Sequence, residues 1–202
     1  MTTIVKKAKK YCIGLLSGSR CGTLPFHNEE HTMNVYENVL KIGMYENMEM
    51  EELEPVMLAA LFHDTGNATV FAGHENFSAT EASNFLLAQS YPYDKIDLVI
   101  NCIKATRMPQ RPKNIYEAII CDADLFHLGI NSYHAKNTLL RLEWATFLNT
   151  QYSNASWDSL NIEFLQQHRF HTKYGQKILE PVKQRNLREL KEQREKTNRQ
   201  YP

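Results

Sequence analysis

The stretch Met57-Leu58-Ala59-Ala60-Leu61-Phe62-His63-Asp64-Thr65-Gly66 decides the fold of this chain. Its first six residues are all apolar, so they predict a helix that is buried on every side. The Thr-Gly pair that follows His63 and Asp64 predicts the end of that helix. Burying an unpaired carboxylate is very costly, so Asp64 needs compensation. A metal ion would supply it, and the alternative is that Asp64 caps the next turn.

Apolar residues recur at steps of three and four on both sides of this stretch, and strand signals are nearly absent. The tail after Leu190 is rich in charged residues without an apolar anchor, which predicts fraying or disorder. The sequence therefore predicts an all-α, single-domain helical bundle. Its predicted helices cover residues 4–15, 29–45, 51–62, 76–90, 93–106, 115–128, 132–150 and 157–168, with a last helix starting near residue 175.

The composition excludes several classes of protein. A chain of 202 residues fits one domain, and its 23 Lys and Arg balance its 23 Asp and Glu. This balance argues against nucleic-acid binding driven by bulk charge, because no excess of cations displaces counterions. No window approaches the run of about 18 apolar residues that a transmembrane helix needs, and the N-terminal apolar run is too short for a signal peptide. The four cysteines form no CxxC pair. We expect a soluble, cytoplasmic protein with free thiols and no membrane partner.

Two histidines open the second predicted helix. His27 and His31 stand four residues apart, so they lie on one helical face, one turn apart. That spacing would place two imidazoles at one ion, or one at the ion and the other at a substrate beside it. The alternative is a pair of solvated side chains on a surface helix, which is common for this spacing.

Two carboxylates, Asp122 and Asp124, interrupt an apolar helix. Residues two apart on a helix face different ways, so one carboxylate would reach a central site while the other would not. Imidazoles and carboxylates without a thiolate suit Mn²⁺, Fe²⁺, Mg²⁺ or catalytic Zn²⁺. A site of two His and two Asp leaves positions for water and a phosphoryl oxygen, as metal-assisted hydrolysis requires.

The order His31, His63-Asp64, Asp124 resembles the HD-domain superfamily of metal-dependent phosphohydrolases. Phe26-His27-Asn28-Glu29-Glu30-His31-Thr32 is similar to that family's Tyr-His-Asn-x-x-His-Thr start. The segment 59–66 is similar to its Ala-Ala-x-x-His-Asp-x-Gly element, and the segment 121–125 to its closing Asp-Ala-Asp. The resemblance covers roughly residues 24 to 130, and the combined pattern is far more specific than any one part.

The resemblance implies a set of roles. The metal ligands would be His31, His63, Asp64 and Asp124, holding one divalent ion per chain, either Mn, Mg, Fe, Ni, Co or Zn. His27 would match the residue that protonates the leaving group in the branch that includes cyclic-nucleotide phosphodiesterases. Asp64 would also orient the attacking water.

A second ion is implied less directly. The segment 73–79 resembles the family's Asn-Glu-x-Ser-Ala segment, so His74 and Glu75 would lie at the edge of the site or hold a second ion. The alternative, an exposed loop histidine, is slightly favoured. Two-metal members often carry a further His shortly after the Ala-Thr that is Ala105-Thr106 here, and this chain has none there. A single ion is therefore the prediction.

The positions after Thr106 form a basic loop that contains two prolines, residues 107–113. Its cations Arg107, Arg111 and Lys113 would receive substrate phosphates, and the alternative is an ordinary solvated loop.

The function implied is a phosphohydrolase, a phosphodiesterase or phosphatase, that acts on a nucleotide or related small phosphoester through a metal-activated water. The alternatives are a di-iron oxygenase of the same fold and a non-catalytic, metal-containing ligand sensor. The predicted domain boundaries are an N-terminal helix and loop at 1–23, the phosphohydrolase domain at 24–180, and a charged C-terminal helix or tail at 181–202.

Overall fold

The computed structural model describes the backbone of residues 2–200 and the side chains of residues 2–196. Single turns link several helices, three of them 3₁₀ turns at Arg20–Thr23, Thr65–Ala68 and Leu125–Gly129, and one a π turn at Gly175–Leu179. The helices are α1 (Thr3–Ser17), α2 (Glu29–Tyr45), α3 (Met50–Phe62), α4 (His74–Ala88), α5 (Tyr93–Ala105), α6 (Ile115–Asp124), α7 (Tyr133–Phe147), α8 (Asn154–Gln167) and α9 (Glu180–Gln200).

The all-α prediction is confirmed: residues 2–200 contain no strand, and each predicted helix has a counterpart. Two differences matter. The helix predicted at 115–128 ends at Asp124, where a 3₁₀ turn begins. The tail predicted to fray continues α9 as far as Gln200, because its Lys, Arg, Glu and Gln residues are strong helix formers. The predicted tail also includes residues 201 and 202, which lie outside the described residues.

Helix α3 forms the centre of the bundle. All ten residues from 53 to 62 are buried, as the uninterrupted apolar run predicts. Helices α1, α2, α5 and α6 pack around it. The polar member of the run, Glu54, accepts a hydrogen bond from the Tyr91 hydroxyl at 2.9 Å. Since α3 is surrounded, the residues at its end emerge inside the bundle rather than at its surface.

The two carboxylates of α6 point to different places. Asp122 is completely buried and accepts hydrogen bonds from the His171 and Thr172 backbone amides and from the Thr172 hydroxyl, at 2.7 to 3.2 Å. A Cβ at Gly175 would come within 2.3 Å of the same carboxylate, so the turn there requires glycine. Asp122 therefore fastens the segment before α9 to α6, and Asp124 faces the other way.

We expect Asp122→Ala to lower the free energy of unfolding by about 3 kcal/mol, since a buried donor left without its acceptor costs about 1–3 kcal/mol. Two backbone amides and one hydroxyl would lose their acceptor together. Urea unfolding followed by circular dichroism measures the change, with the exposed Asp97→Ala as control. Equal stability of the two variants would contradict this role for Asp122.

No helix in the described part of the chain is both long enough and apolar enough to cross a membrane.

Candidate metal centre

The first histidine is positioned by the start of α2. The Asn28 side chain caps this helix, accepting a hydrogen bond from the His31 backbone amide at 3.1 Å and donating one to the Leu24 carbonyl at 3.0 Å. Asn28 therefore ties the helix to the preceding loop. The His31 ring packs against the rings of Phe26 and His63, with centroids 5.0 and 5.4 Å away. His31 thus points into the bundle from the first turn of α2.

The end of α3 supplies the next two side chains. His63 Nδ1 lies 2.8 Å from the Ala60 carbonyl oxygen, which leaves Nε2 for the site. The chain then turns sharply, and a Cβ at Gly66 would lie 2.1 Å from the His74 carbonyl oxygen. This close approach brings the start of α4 against Asp64. The Asp64 side chain makes no capping hydrogen bond, so the interpretation of Asp64 as a helix cap is wrong.

Asp124 completes the cluster from the end of α6. Its Oδ1 lies 3.3 Å from His31 Nε2 and 3.6 Å from His63 Nε2. Asp64 Oδ2 lies 3.4 Å from His31 Nε2 and 3.3 Å from His63 Nε2. Four ligand atoms from three helix ends therefore surround one point, although they come from positions up to 93 residues apart.

These donors fit a divalent ion. Nε2 of both histidines and Oδ2 of Asp64 are buried, yet none of them has a hydrogen-bond partner in the described structure. Unpaired buried polar atoms are rare, and an unmodelled ion is one of their usual causes. Two ligands about 2.1 Å from one ion stand roughly 3.0–3.4 Å apart in octahedral or tetrahedral geometry, close to the spacings observed. His31, His63 and Asp124 also form a group whose donor atoms all lie within 4.8 Å of one another.

The electrostatics of the cluster favour positive charge at its centre. Burial works against the charged form of His63, but the Asp64 and Asp124 carboxylates outweigh it, so the pKa of His63 is raised well above its ordinary value. Burial alone would raise the pKa of Asp64, yet the His63 and His74 imidazoles hold it well below the ordinary value. The two carboxylates thus stay ionised inside the protein, as metal ligands must.

His74 and Glu75 lie at the edge of the cluster. His74 is the first residue of α4 rather than a loop residue, and its Nε2 lies 3.1 Å from Asp64 Oδ1. The interpretation of His74 as an exposed loop histidine is therefore wrong. Glu75 is 9% exposed, and its Oε2 has no hydrogen-bond partner among the described residues.

His27 lies beside the cluster and is held by a carboxylate from α7. Glu143 is 1% exposed, and its Oε1 contacts His27 Nδ1 in a short hydrogen bond. Its Oε2 accepts hydrogen bonds from the Phe26 and His27 backbone amides at 2.8 and 2.9 Å. Burial disfavours the charged form of His27, but the hydrogen bond to Glu143 outweighs it and raises the His27 pKa. Nε2 remains as the free nitrogen of the ring.

Glu143 and Gln110 are missing from the sequence-based set of site residues. Glu143 follows Leu140 by three positions and precedes Phe147 by four, so its place on the inward stripe of α7 was a usable signal. Gln110 lies in the basic loop, and its amide donates to Asp124 Oδ2 at 3.2 Å. No local pattern distinguishes this glutamine from a solvated loop residue.

A cavity of about 280 Å³ adjoins the cluster. Its walls include the ligands His31 and Asp124, the amides of Asn34 and Asn38, and the side chain of Lys136. Lys136 Nζ donates to Glu30 Oε1 at 2.7 Å, so this cation is already neutralised by a carboxylate at the wall.

The three cations of the basic loop lie elsewhere on the surface. Arg107, Arg111 and Lys113 are exposed and line a separate cavity of about 540 Å³. Of the loop residues, Gln110 is the one with a printed contact to a ligand of the cluster. Substrate binding by the three cations stays a prediction.

Comparison with known proteins agrees with the motifs. A family model described as HD domain matches residues 28–129, about half of the chain, and this segment contains all four of the clustered side chains. No curated protein and no solved structure matches the chain significantly. The predicted boundaries at residues 23/24 and 180/181 stay predictions.

Proposed function

Because the chain belongs to the HD-domain family, a superfamily of metal-dependent hydrolases, we propose that it hydrolyses a small phosphoester, a nucleotide or a related compound. The observation that carries this proposal is the set of buried His and Asp donor atoms without hydrogen-bond partners, with His27 and Glu143 beside them. A purely structural role would not require unpaired donors next to an open cavity.

His31, His63, Asp64 and Asp124 would hold the ion. When bound, a divalent ion in such a site lowers the pKa of a water molecule and polarises a phosphoryl group. The protein contributes the fixed direction of the four donors. His63 is oriented by the Ala60 carbonyl, and Asp124 is held by the Gln110 amide.

His27 would donate a proton to the leaving oxygen. Glu143 binds Nδ1, so the proton available to a substrate is the one on Nε2. Glu143 also accepts from two backbone amides, which keeps its position when the imidazole moves. Asp64 would turn Oδ2 toward the histidines, and Oδ1 would orient the attacking water together with His74.

The cavity beside His31 would take the organic part of the substrate. Its amides offer hydrogen bonds, and its one nearby lysine is already paired with Glu30. Arg107, Arg111 and Lys113 would bind further phosphates of a larger nucleotide, since guanidinium groups bind phosphate oxygens strongly.

The test is a screen of phosphomonoesters and phosphodiesters with Mn²⁺, Mg²⁺, Co²⁺ and Ni²⁺ added separately to metal-free protein. We expect hydrolysis of at least one nucleotide, dependent on the metal and abolished by a chelator. A protein that binds the metal fully but turns over no phosphoester would contradict the proposal and favour a ligand sensor. Iron bound at two ions per chain after anaerobic purification would favour an oxygenase instead.

A further inference from the structure

A cation beside the metal centre has an unpartnered donor. Arg20 begins the 3₁₀ turn between α1 and α2, and its Nη2 is buried without a hydrogen-bond partner among the described residues. Its Nε donates to the Asn67 carbonyl oxygen at 2.5 Å, and its guanidinium carbon lies 4.0 Å from the centre of the Phe71 ring. The plane of the guanidinium is therefore fixed on one edge and one face.

A second donor accompanies it. Asn67 is 1% exposed, and its Nδ2 is also buried without a partner in the described structure. A buried donor without an acceptor costs free energy, and for a charged group the cost is greater. Two such donors on residues that already contact one another indicate that their acceptor comes from a ligand.

Both residues adjoin the metal centre. The Asn67 backbone amide donates to the Asp64 carbonyl oxygen at 3.0 Å. The Phe71 carbonyl, below the Arg20 guanidinium, lies 2.8 Å from His74 Nδ1, and His74 Nε2 lies 3.1 Å from Asp64 Oδ1. The donors therefore stand one layer of side chains behind Asp64, on the side of His74.

The charges agree with this placement. Burial is the main cause of the raised pKa of the Cys21 thiol, to which the Asp64 carboxylate adds and which the Arg20 guanidinium opposes. Arg20 and Asp64 are thus near enough to act on the same sulfur atom.

We propose that Arg20 and Asn67 bind an oxyanion, the phosphoryl group of the substrate, on the side of the metal centre formed by Asp64 and His74. This inference rests on the proposed function and names the residues that would receive the phosphoryl oxygens. A guanidinium is suited to this task because its planar donors match a tetrahedral oxyanion and its charge does not titrate.

One other partner is available to Arg20. Glu75 Oε2 is buried and unpartnered as well, and a side-chain rotation would let it pair with Arg20. In that case Arg20 would stabilise the fold without binding an anion. The two possibilities differ in what happens to anion affinity when Arg20 is replaced.

The probe is inorganic phosphate, titrated calorimetrically into the full-length chain both with Mg²⁺ and with a chelator. We expect Arg20→Gln to weaken phosphate binding at least about tenfold in both conditions, because a charged hydrogen bond is lost. Arg20→Lys should retain part of the affinity, since it keeps the charge but not the planar fork. The difference in the presence of chelator attributes the effect to Arg20 rather than to the metal.

Arg141→Gln is the matched control. Arg141 also lies over an aromatic ring, Trp157, but its two terminal nitrogens already donate to Asn154 Oδ1 and the Tyr152 carbonyl oxygen. We expect this variant to bind phosphate as the wild type does. Should Arg20→Gln fail to fold, Arg20→Lys and Asn67→Ala decide the question, each with a several-fold loss of affinity.

The proposal is overturned if the wild type binds no phosphate in either condition. It is also overturned if Arg20→Gln lowers the melting temperature but leaves phosphate affinity unchanged, as pairing with Glu75 predicts. Phosphate binding that depends on Arg20 in a protein without phosphoesterase activity would refute the proposed function and leave the anion site standing. Turnover with an unchanged Arg20→Gln affinity would do the reverse.

Discussion

Replacing His63 or Asp64 by alanine removes the tightly bound metal. Each substitution deletes one of four donors and opens a gap at the end of α3, where these donors converge within 3.3 to 3.6 Å of one another. We expect the metal affinity to fall more than about 100-fold, because residues that merely orient a ligand already contribute about 10–100-fold. Elemental analysis of the purified variants after dialysis measures the remaining metal.

Asp122→Asn is the matched control for the metal experiment. Asp122 is also a buried carboxylate of α6, two residues from Asp124, but its oxygens bind the segment around Thr172. We expect this variant to keep its metal even if it is less stable. Full metal occupancy in both His63→Ala and Asp64→Ala would exclude these residues as ligands.

Replacing His27 by alanine keeps the metal and removes most of the turnover. A positioned general acid contributes about 10²–10⁴-fold in rate, and we expect a loss in that range for a substrate with a poor leaving group. The loss should be much smaller for p-nitrophenyl phosphate, since p-nitrophenolate leaves without a proton. Steady-state kinetics with the two substrates measure the difference, and metal content is determined in parallel.

Glu143→Gln separates orientation from proton transfer. The amide keeps the shape of the side chain but removes the negative charge that holds His27 Nδ1. We expect an intermediate loss of rate with the same dependence on the leaving group. If His27→Ala slowed both substrates equally, or lost the metal, His27 would be a ligand or a structural residue rather than a general acid.

Local pattern alone was sufficient to predict the helices. The six apolar residues that end at Phe62 can be buried only in a helix surrounded by others, and α3 is such a helix. Helix α2 begins and ends where its spacing predicts, at Glu29 and Tyr45. Apolar periodicity is a local property of the chain, so it survives without knowledge of the neighbours. The family was also accessible from the sequence, because its motifs are short and contiguous.

Other features depended on which helices meet. Sequence spacing shows that Asp122 and Asp124 face apart, but only the packing of α6 shows that Asp124 is the one that faces His31 and His63. The same holds for Glu143, which reaches His27 across 116 residues, and for the donors of Arg20 and Asn67. Such contacts are set by how helix faces pack in three dimensions, and a buried polar group is identified only when its surroundings are known. The sequence by itself therefore determined the helices and the family of this protein, and the tertiary structure decided which polar side chains meet inside it.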